Sequence, residues 1–216
     1  MFRNQVITLI LCLAFIGCGG SSPNANNANS QQNTANTANS NRRENRRVGQ
    51  PIEIKLKDKP TEFEPKSAHY FSEDLTMNTA DGKTVQTVVR EIVIANYQLD
   101  ASGGKESVMK KLTSPEQMRL VIQLVEGPDA KKERATTATE FRLRANEPYS
   151  LMGIQVYTFA NGKEVKTSIS PGGDARGSVR VSSTSSELVS GEIDISNSEL
   201  AIFGSYIAMA WKPPTK

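Results

Sequence analysis

Beyond Pro51 the apolar positions recur mostly every second residue. Ile52, Ile54 and Leu56 alternate with Glu53, Lys55 and Lys57; Phe141, Leu143 and Ala145 alternate with Arg142 and Arg144; Val189, Gly191, Ile193 and Ile195 alternate with Ser190, Glu192, Asp194 and Ser196. This period predicts strands with one wet face. Val85 to Ala95, Met118 to Val125 and Leu200 to Trp211 are apolar on both sides and suit strands covered twice. Ser114-Pro115 could open a helix ahead of the middle run, but its Val and Ile content favours a strand. In the last run Leu200, Ile202, Tyr206, Ala208 and Ala210 share one face, and Phe203, Ile207, Met209 and Trp211 the other.

Turn residues punctuate these runs at Asp81-Gly82, Ser102-Gly103-Gly104, Glu126-Gly127-Pro128-Asp129, Asn161-Gly162 and Pro171-Gly172-Gly173-Asp174. Asn161-Gly162 is the strongest hairpin signal, because both residues tolerate positive φ. Roughly eight to ten short strands with almost no helix predict a single all-β domain over 51–216, an antiparallel β-sandwich, with a β-barrel as the alternative.

The first 50 residues follow other rules. Val6 to Ile16 is an apolar run of 11 residues behind Arg3, too short to span a bilayer, which takes about 20. It reads as a secretory signal peptide over 1–17. From Gly19 to Gln50 there are nine asparagines among 32 residues and no large apolar side chain before Val48. Such a composition buries too little surface to offset chain entropy, so 18–50 is expected to be a disordered linker, roughly 30 Å end to end as a flexible coil.

At the junction, Phe15-Ile16-Gly17-Cys18 resembles the lipobox of bacterial lipoproteins, with an apolar residue three before the cysteine and a small one directly before it. The resemblance covers only residues 1–18. It implies cleavage after Gly17, a thioether-linked diacylglycerol on Cys18 and a further acyl chain on the new amino group, palmitate being the expected kind. It also implies that Gly19 at the second mature position is compatible, in a Gram-negative bacterium, with export to the outer membrane. Physically, two or three acyl chains hold a protein firmly where one is marginal.

Charge refines the picture. With Arg3, Arg42, Arg43, Arg46 and Arg47 set aside from 26 basic residues, and Glu44 from 23 acidic ones, the chain after position 50 carries 21 and 22, a net charge of −1. The positive balance belongs to the tether, where the arginines read as a solvated charge run. With no basic stripe in the domain, nucleic acid is not an expected partner.

Reactive chemistry is sparse. The two cysteines are Cys12 and Cys18, and His69 is the only histidine. A nucleophile–His device would have to use it, and no Gly-x-Ser-x-Gly elbow accompanies it. Glu192 and Asp194 share a strand face roughly 7 Å apart, but flanked by Ser190 and Ser196 they read as a solvated face; Glu62 with Glu64, and Glu73 with Asp74, read as Pro-bounded or turn-like stretches. No calcium loop, phosphate loop or dinucleotide fingerprint occurs, so no cofactor is expected. The weak candidates for a ligand or partner surface are Asp174 and Arg176 in the Gly-rich loop, and Tyr206 and Trp211 in the last strand.

The expected function is a non-catalytic binding or structural module of the bacterial cell envelope, anchored to the membrane by lipid, periplasmic or surface-facing, with an envelope polysaccharide or protein as partner. The alternatives are a carboxylate-dependent envelope hydrolase and a hydrophobic-ligand carrier with a barrel cavity.

Overall fold

The computed structural model describes residues 51–212. The expected signal peptide, Cys18 and the tether lie outside the described residues. Eleven strands and one helical turn follow in order: β1 (Ile52–Leu56), β2 (Lys59–Phe63), β3 (Ser67–Asn78), β4 (Thr84–Ala95), α1 (Lys105–Val108), β5 (Met118–Val125), β6 (Glu140–Leu143), β7 (Ser150–Ala160), β8 (Lys163–Ile169), β9 (Arg176–Thr184), β10 (Leu188–Ser196) and β11 (Leu200–Ala210). The all-β expectation holds, and the ambiguous run at 118–125 is a strand.

The sandwich gives way to its alternative, a barrel. Hydrogen bonding runs β10-β9-β6-β7-β5-β4-β3-β11, and β11 pairs back onto β10 from Leu188↔Met209 to Ser196↔Ala201, closing an eight-stranded barrel. No gap remains at which two layers would separate. Closure depends on two short parallel contacts, Met209↔His69 and Ala210↔Tyr70 between β11 and β3, and Arg142↔Ser150 and Leu143↔Leu151 between β6 and β7. The β1–β2 hairpin continues the sheet from β11, and β8 hangs on β7 outside the ring.

Local chemistry sets the hairpins. Asn161 and Gly162 join β7 to β8 with φ of 53° and 76°, and Lys57 and Asp58 join β1 to β2 with φ of 49° and 64°. Both are two-residue turns with paired positive φ, whose twist matches that of the flanking strands. In β9, Ser182 is the extra residue where the pairing to β10 shifts between Ser190 and Gly191. At Gly191 a Cβ would collide with the Arg180 carbonyl oxygen, so glycine permits the close approach. The two free-edge strands carry Pro60 in β2, and Lys163, Glu164 and Lys166 in β8, residues that discourage edge-to-edge pairing.

The bore is filled by Tyr70, Ile92, Ile94, Leu120, Ile122, Phe141, Ile154, Val179, Ile193, Ile202 and Tyr206, all buried in one cluster, as expected where eight strands leave room for side chains alone. The outer face carries Arg142, Arg180, Glu192 and Asp194, all exposed. This is the inverse of a membrane-spanning barrel, which is polar inside and apolar outside. Among the described residues no helix is long and apolar enough to cross a membrane.

A second, smaller cluster of Phe71, Val93, Ala95, Leu99, Val108 and Val121 lies on the outside, beneath the connection 96–117. It accounts for β4 and β5 being apolar on both faces.

Candidate functional site

One barrel mouth is closed by an ionic knot. Arg90 continues the inward-facing row of Ile94 and Ile92 on β4 and is 1% exposed, as is Glu126 at the end of β5. Each of the five guanidinium N–H groups has an acceptor. Nε donates to Glu126 Oε1 at 3.4 Å, Nη1 to Ser72 Oγ and to the Lys132 carbonyl at 2.9 Å, and Nη2 to the Lys131 and Arg134 carbonyls at 3.0 and 2.9 Å. The Glu126 carboxylate also accepts from the Thr137 amide at 3.1 Å, and the Thr87 hydroxyl bonds the Glu126 and Gly127 carbonyls at 2.8 and 2.9 Å. With its donors filled, Arg90 shapes the 126–139 loop and has no N–H left for a ligand.

That geometry determines what the mouth presents. Because three carbonyls of 131–134 turn in toward Arg90, the side chains of Lys131, Lys132 and Arg134 are left exposed. Beside them Tyr149, with φ of 53°, is 46% exposed and lies against Gly127, where a Cβ would collide with its ring. A left-handed aromatic residue is uncommon and is held there by its surroundings. Lys131, Arg134 and Tyr149 border a depression of about 200 Å³ over Arg90 and Glu126. The arrangement offers cations and an aromatic face on a fixed loop, with the Asp129 carboxylate beside them. The sequence reading did not single out these residues; the Lys131-Lys132-Glu133-Arg134 run was visible, but not the buried arginine that orders it.

The outer wall holds the other buried ions. Arg119, 1% exposed, stacks 4.7 Å from the Tyr157 ring centroid and donates to Glu164 Oε2 at 3.3 Å. Glu91 accepts from Gln123 Nε2 at 2.9 Å, and its other oxygen lies 3.3 Å from Lys105 Nζ without hydrogen-bond geometry. Desolvation would lower the pKa of Lys105, yet the hydrogen bond to Glu73 and the charges of Glu91 and Glu73 leave it raised.

The four residues picked out from the sequence do not converge. Asp174, between β8 and β9, accepts the Ser198 amide at 2.6 Å, and hydrogen bonding from the Ser198 side chain, then from its amide, holds the carboxyl below the ordinary aspartate value. Arg176 opens β9 opposite Ser196, so these two lie near the turn that begins β11. Trp211 lies beyond the far end of β11, half-buried, its Nε1 donating to the Ala101 carbonyl at 2.8 Å and its ring 6.0 Å from that of Phe71. Tyr206 faces the bore, 3% exposed, and its hydroxyl has no hydrogen-bond partner among the described residues; burial pushes its pKa up.

The remaining titratable candidates are also scattered. His69, on the outer face of β3 beside Met209, has its pKa lowered by desolvation. Glu192 and Asp194 are exposed on β10, and Arg180 stands directly across from Glu192. Glu73 and Asp74 lie within β3 rather than in a turn-like stretch, and Glu62 lies within β2, between Pro60 and Pro65. Among the described residues no group of three or more His, Cys, Asp or Glu could hold a metal ion. The chain matches no protein-family model, no curated protein and no solved structure.

Proposed function

We propose that the protein is a bacterial envelope lipoprotein that holds a non-catalytic β-barrel off the membrane on a flexible tether, as a binding or structural module. The anchor rests on Phe15-Ile16-Gly17-Cys18 at the end of an 11-residue apolar run, followed by 32 residues with no large apolar side chain before Val48. Acyl chains on Cys18 would contribute about 0.8 kcal/mol per buried methylene, which makes dual or triple acylation a stable anchor where a single chain is marginal. Gly19 is compatible with an outer-membrane destination.

The observation that carries the module reading is where the buried ions bond. Arg90 and Glu126 have partners within the fold, and the bore is packed with aliphatic and aromatic side chains. A hydrophobic-ligand carrier would need that volume empty. A glycosidase would need two carboxyl groups about 5 to 10 Å apart in a groove, drawn from different strands. Glu192 and Asp194 share one exposed strand instead. An envelope polysaccharide or protein is the expected partner, and the rim of Lys131, Arg134 and Tyr149 is the best-formed surface for it.

Two experiments test this. Replacing Cys18 with Ser in the full chain should move the protein from the membrane to the soluble fraction; a variant still pelleting with membranes contradicts the anchor. Pull-down of envelope polysaccharides and proteins by the full chain should weaken in a Tyr149→Ala, Arg134→Ala variant, and equal capture by both forms contradicts the rim.

A further inference from the structure

The 96–117 connection is attached to the barrel differently from everything else in the fold. Strands are held by backbone ladders, whereas between 97 and 112 every hydrogen bond to the barrel wall, among the described residues, involves a side chain. Ser67 Oγ donates to the Tyr97 carbonyl at 2.6 Å and accepts the Leu99 amide at 2.9 Å. Trp211 holds the Ala101 carbonyl, Arg119 holds those of Val108 and Lys110 at 3.2 and 2.7 Å, and Glu164 accepts the Leu112 amide at 2.9 Å. Lys105 reaches down to Glu73 and Glu91 at 3.0 and 3.3 Å. The two ends are joined at a neck, where Asn96 bonds the Glu116 carbonyl and the Met118 amide, both at 2.8 Å.

The interface beneath is also poorly settled. Two of the buried polar atoms without a hydrogen bond, Glu91 Oε1 and Arg119 Nε, lie there. Buried charges with incomplete partners offset part of the gain from covering Phe71, Val93 and Val121. Segments with a small separate core and few backbone ties are the ones that open below the global unfolding free energy.

We propose that residues 97–115 form a strap that lifts off the outer wall as one unit, pivoting at the Asn96 neck, while the barrel stays closed. Opening breaks the side-chain ties together, because each fixes a different point of one short, continuous segment. It uncovers Phe71, Val93 and Val121 and frees the indole of Trp211.

Trp211 is the only tryptophan in the chain, so its fluorescence reports the strap. On the full chain, acrylamide quenching of Trp211 should rise at lower guanidinium than the loss of far-UV circular dichroism. Hydrogen exchange read by mass spectrometry should show amides of 105–112 exchanging at least 100-fold faster than those of β4 and β5. Ser67→Ala, which removes one hydroxyl making two bonds, should speed strap exchange about tenfold and leave β5 unchanged. Coincident fluorescence and dichroism transitions, equal exchange in strap and strands, or a Ser67→Ala effect spread evenly over both would overturn the proposal.

Discussion

Arg90→Met gives the most quantitative test of a mouth built around one guanidinium. Methionine keeps much of the aliphatic volume and removes all five donors, so the loss is electrostatic rather than a cavity. The variant leaves the Glu126 carboxyl buried without its partner, a change that costs about 3 to 5 kcal/mol. It also orphans the carbonyls of Lys131, Lys132 and Arg134, at about 1 kcal/mol each if the loop cannot turn them to water. The loop escapes the second cost by detaching. We therefore expect destabilisation of about 3 to 5 kcal/mol in urea unfolding, and new trypsin cleavage after Lys131, Lys132 or Arg134 under native conditions. Arg90→Lys, with three donors and no fork, should fall between variant and wild type. The double variant Arg90→Met, Glu126→Leu should recover stability without restoring trypsin resistance, because the carbonyls still lack donors. Wild-type stability within about 1 kcal/mol and an uncut loop in Arg90→Met would refute the reasoning.

Two further outcomes follow from ionisable groups. Tyr206→Phe removes a buried hydroxyl with no partner among the described residues, so urea unfolding should show stability unchanged or raised by up to about 2 kcal/mol; a loss above about 1 kcal/mol means that the hydroxyl holds a buried water. The carboxyls of Asp100, Glu140 and Asp174 are held below their ordinary values of 3.8, 4.5 and 3.8, chiefly by hydrogen bonds involving Ser102, Ser178 and Ser198. A depressed folded-state pKa adds stability that is complete above the ordinary value and lost as pH falls through the folded one. Thermal midpoints should thus be level from about pH 7 to 8 and decline slightly below about pH 6.5, as the unfolded chain protonates His69, whose folded pKa is lowered by desolvation. They should fall further below about pH 4, by a small amount because the three carboxyls are exposed or partly exposed; a midpoint that rises on acidification runs against this.

The strands with alternating or continuous apolar runs, β1, β4, β5, β6, β7, β8, β10 and β11, were legible in the sequence, and Asn161-Gly162 marks its turn. β2 was obscured by Pro60 and by charges that suit an unpaired edge. The second half of β3 pairs only with β4, so Glu73 and Asp74 face water, and the apolar residues across from them, Val89 and Val88, lie on the other strand and leave no mark in the β3 sequence. In β9 only Val179 and Val181 are fully buried hydrophobes among serines and arginines. Barrel closure left no local mark, since it depends on two-residue parallel contacts, one of which joins β3 to β11 at opposite ends of the domain. For the same reason the site residues were misjudged. Tyr206 and Trp211 drew attention as aromatics, but one fills the bore and the other secures the strap, whereas Tyr149 gains its exposure from a left-handed turn that no periodicity predicts.

The most direct test of the tethered-lipoprotein reading is mass spectrometry of the N-terminal peptide of the mature protein extracted from bacterial membranes. The account predicts a peptide that begins at Cys18 and carries the mass of a diacylglycerol plus an acyl chain. A free Cys18 thiol, or residues 1–17 still attached, would contradict it.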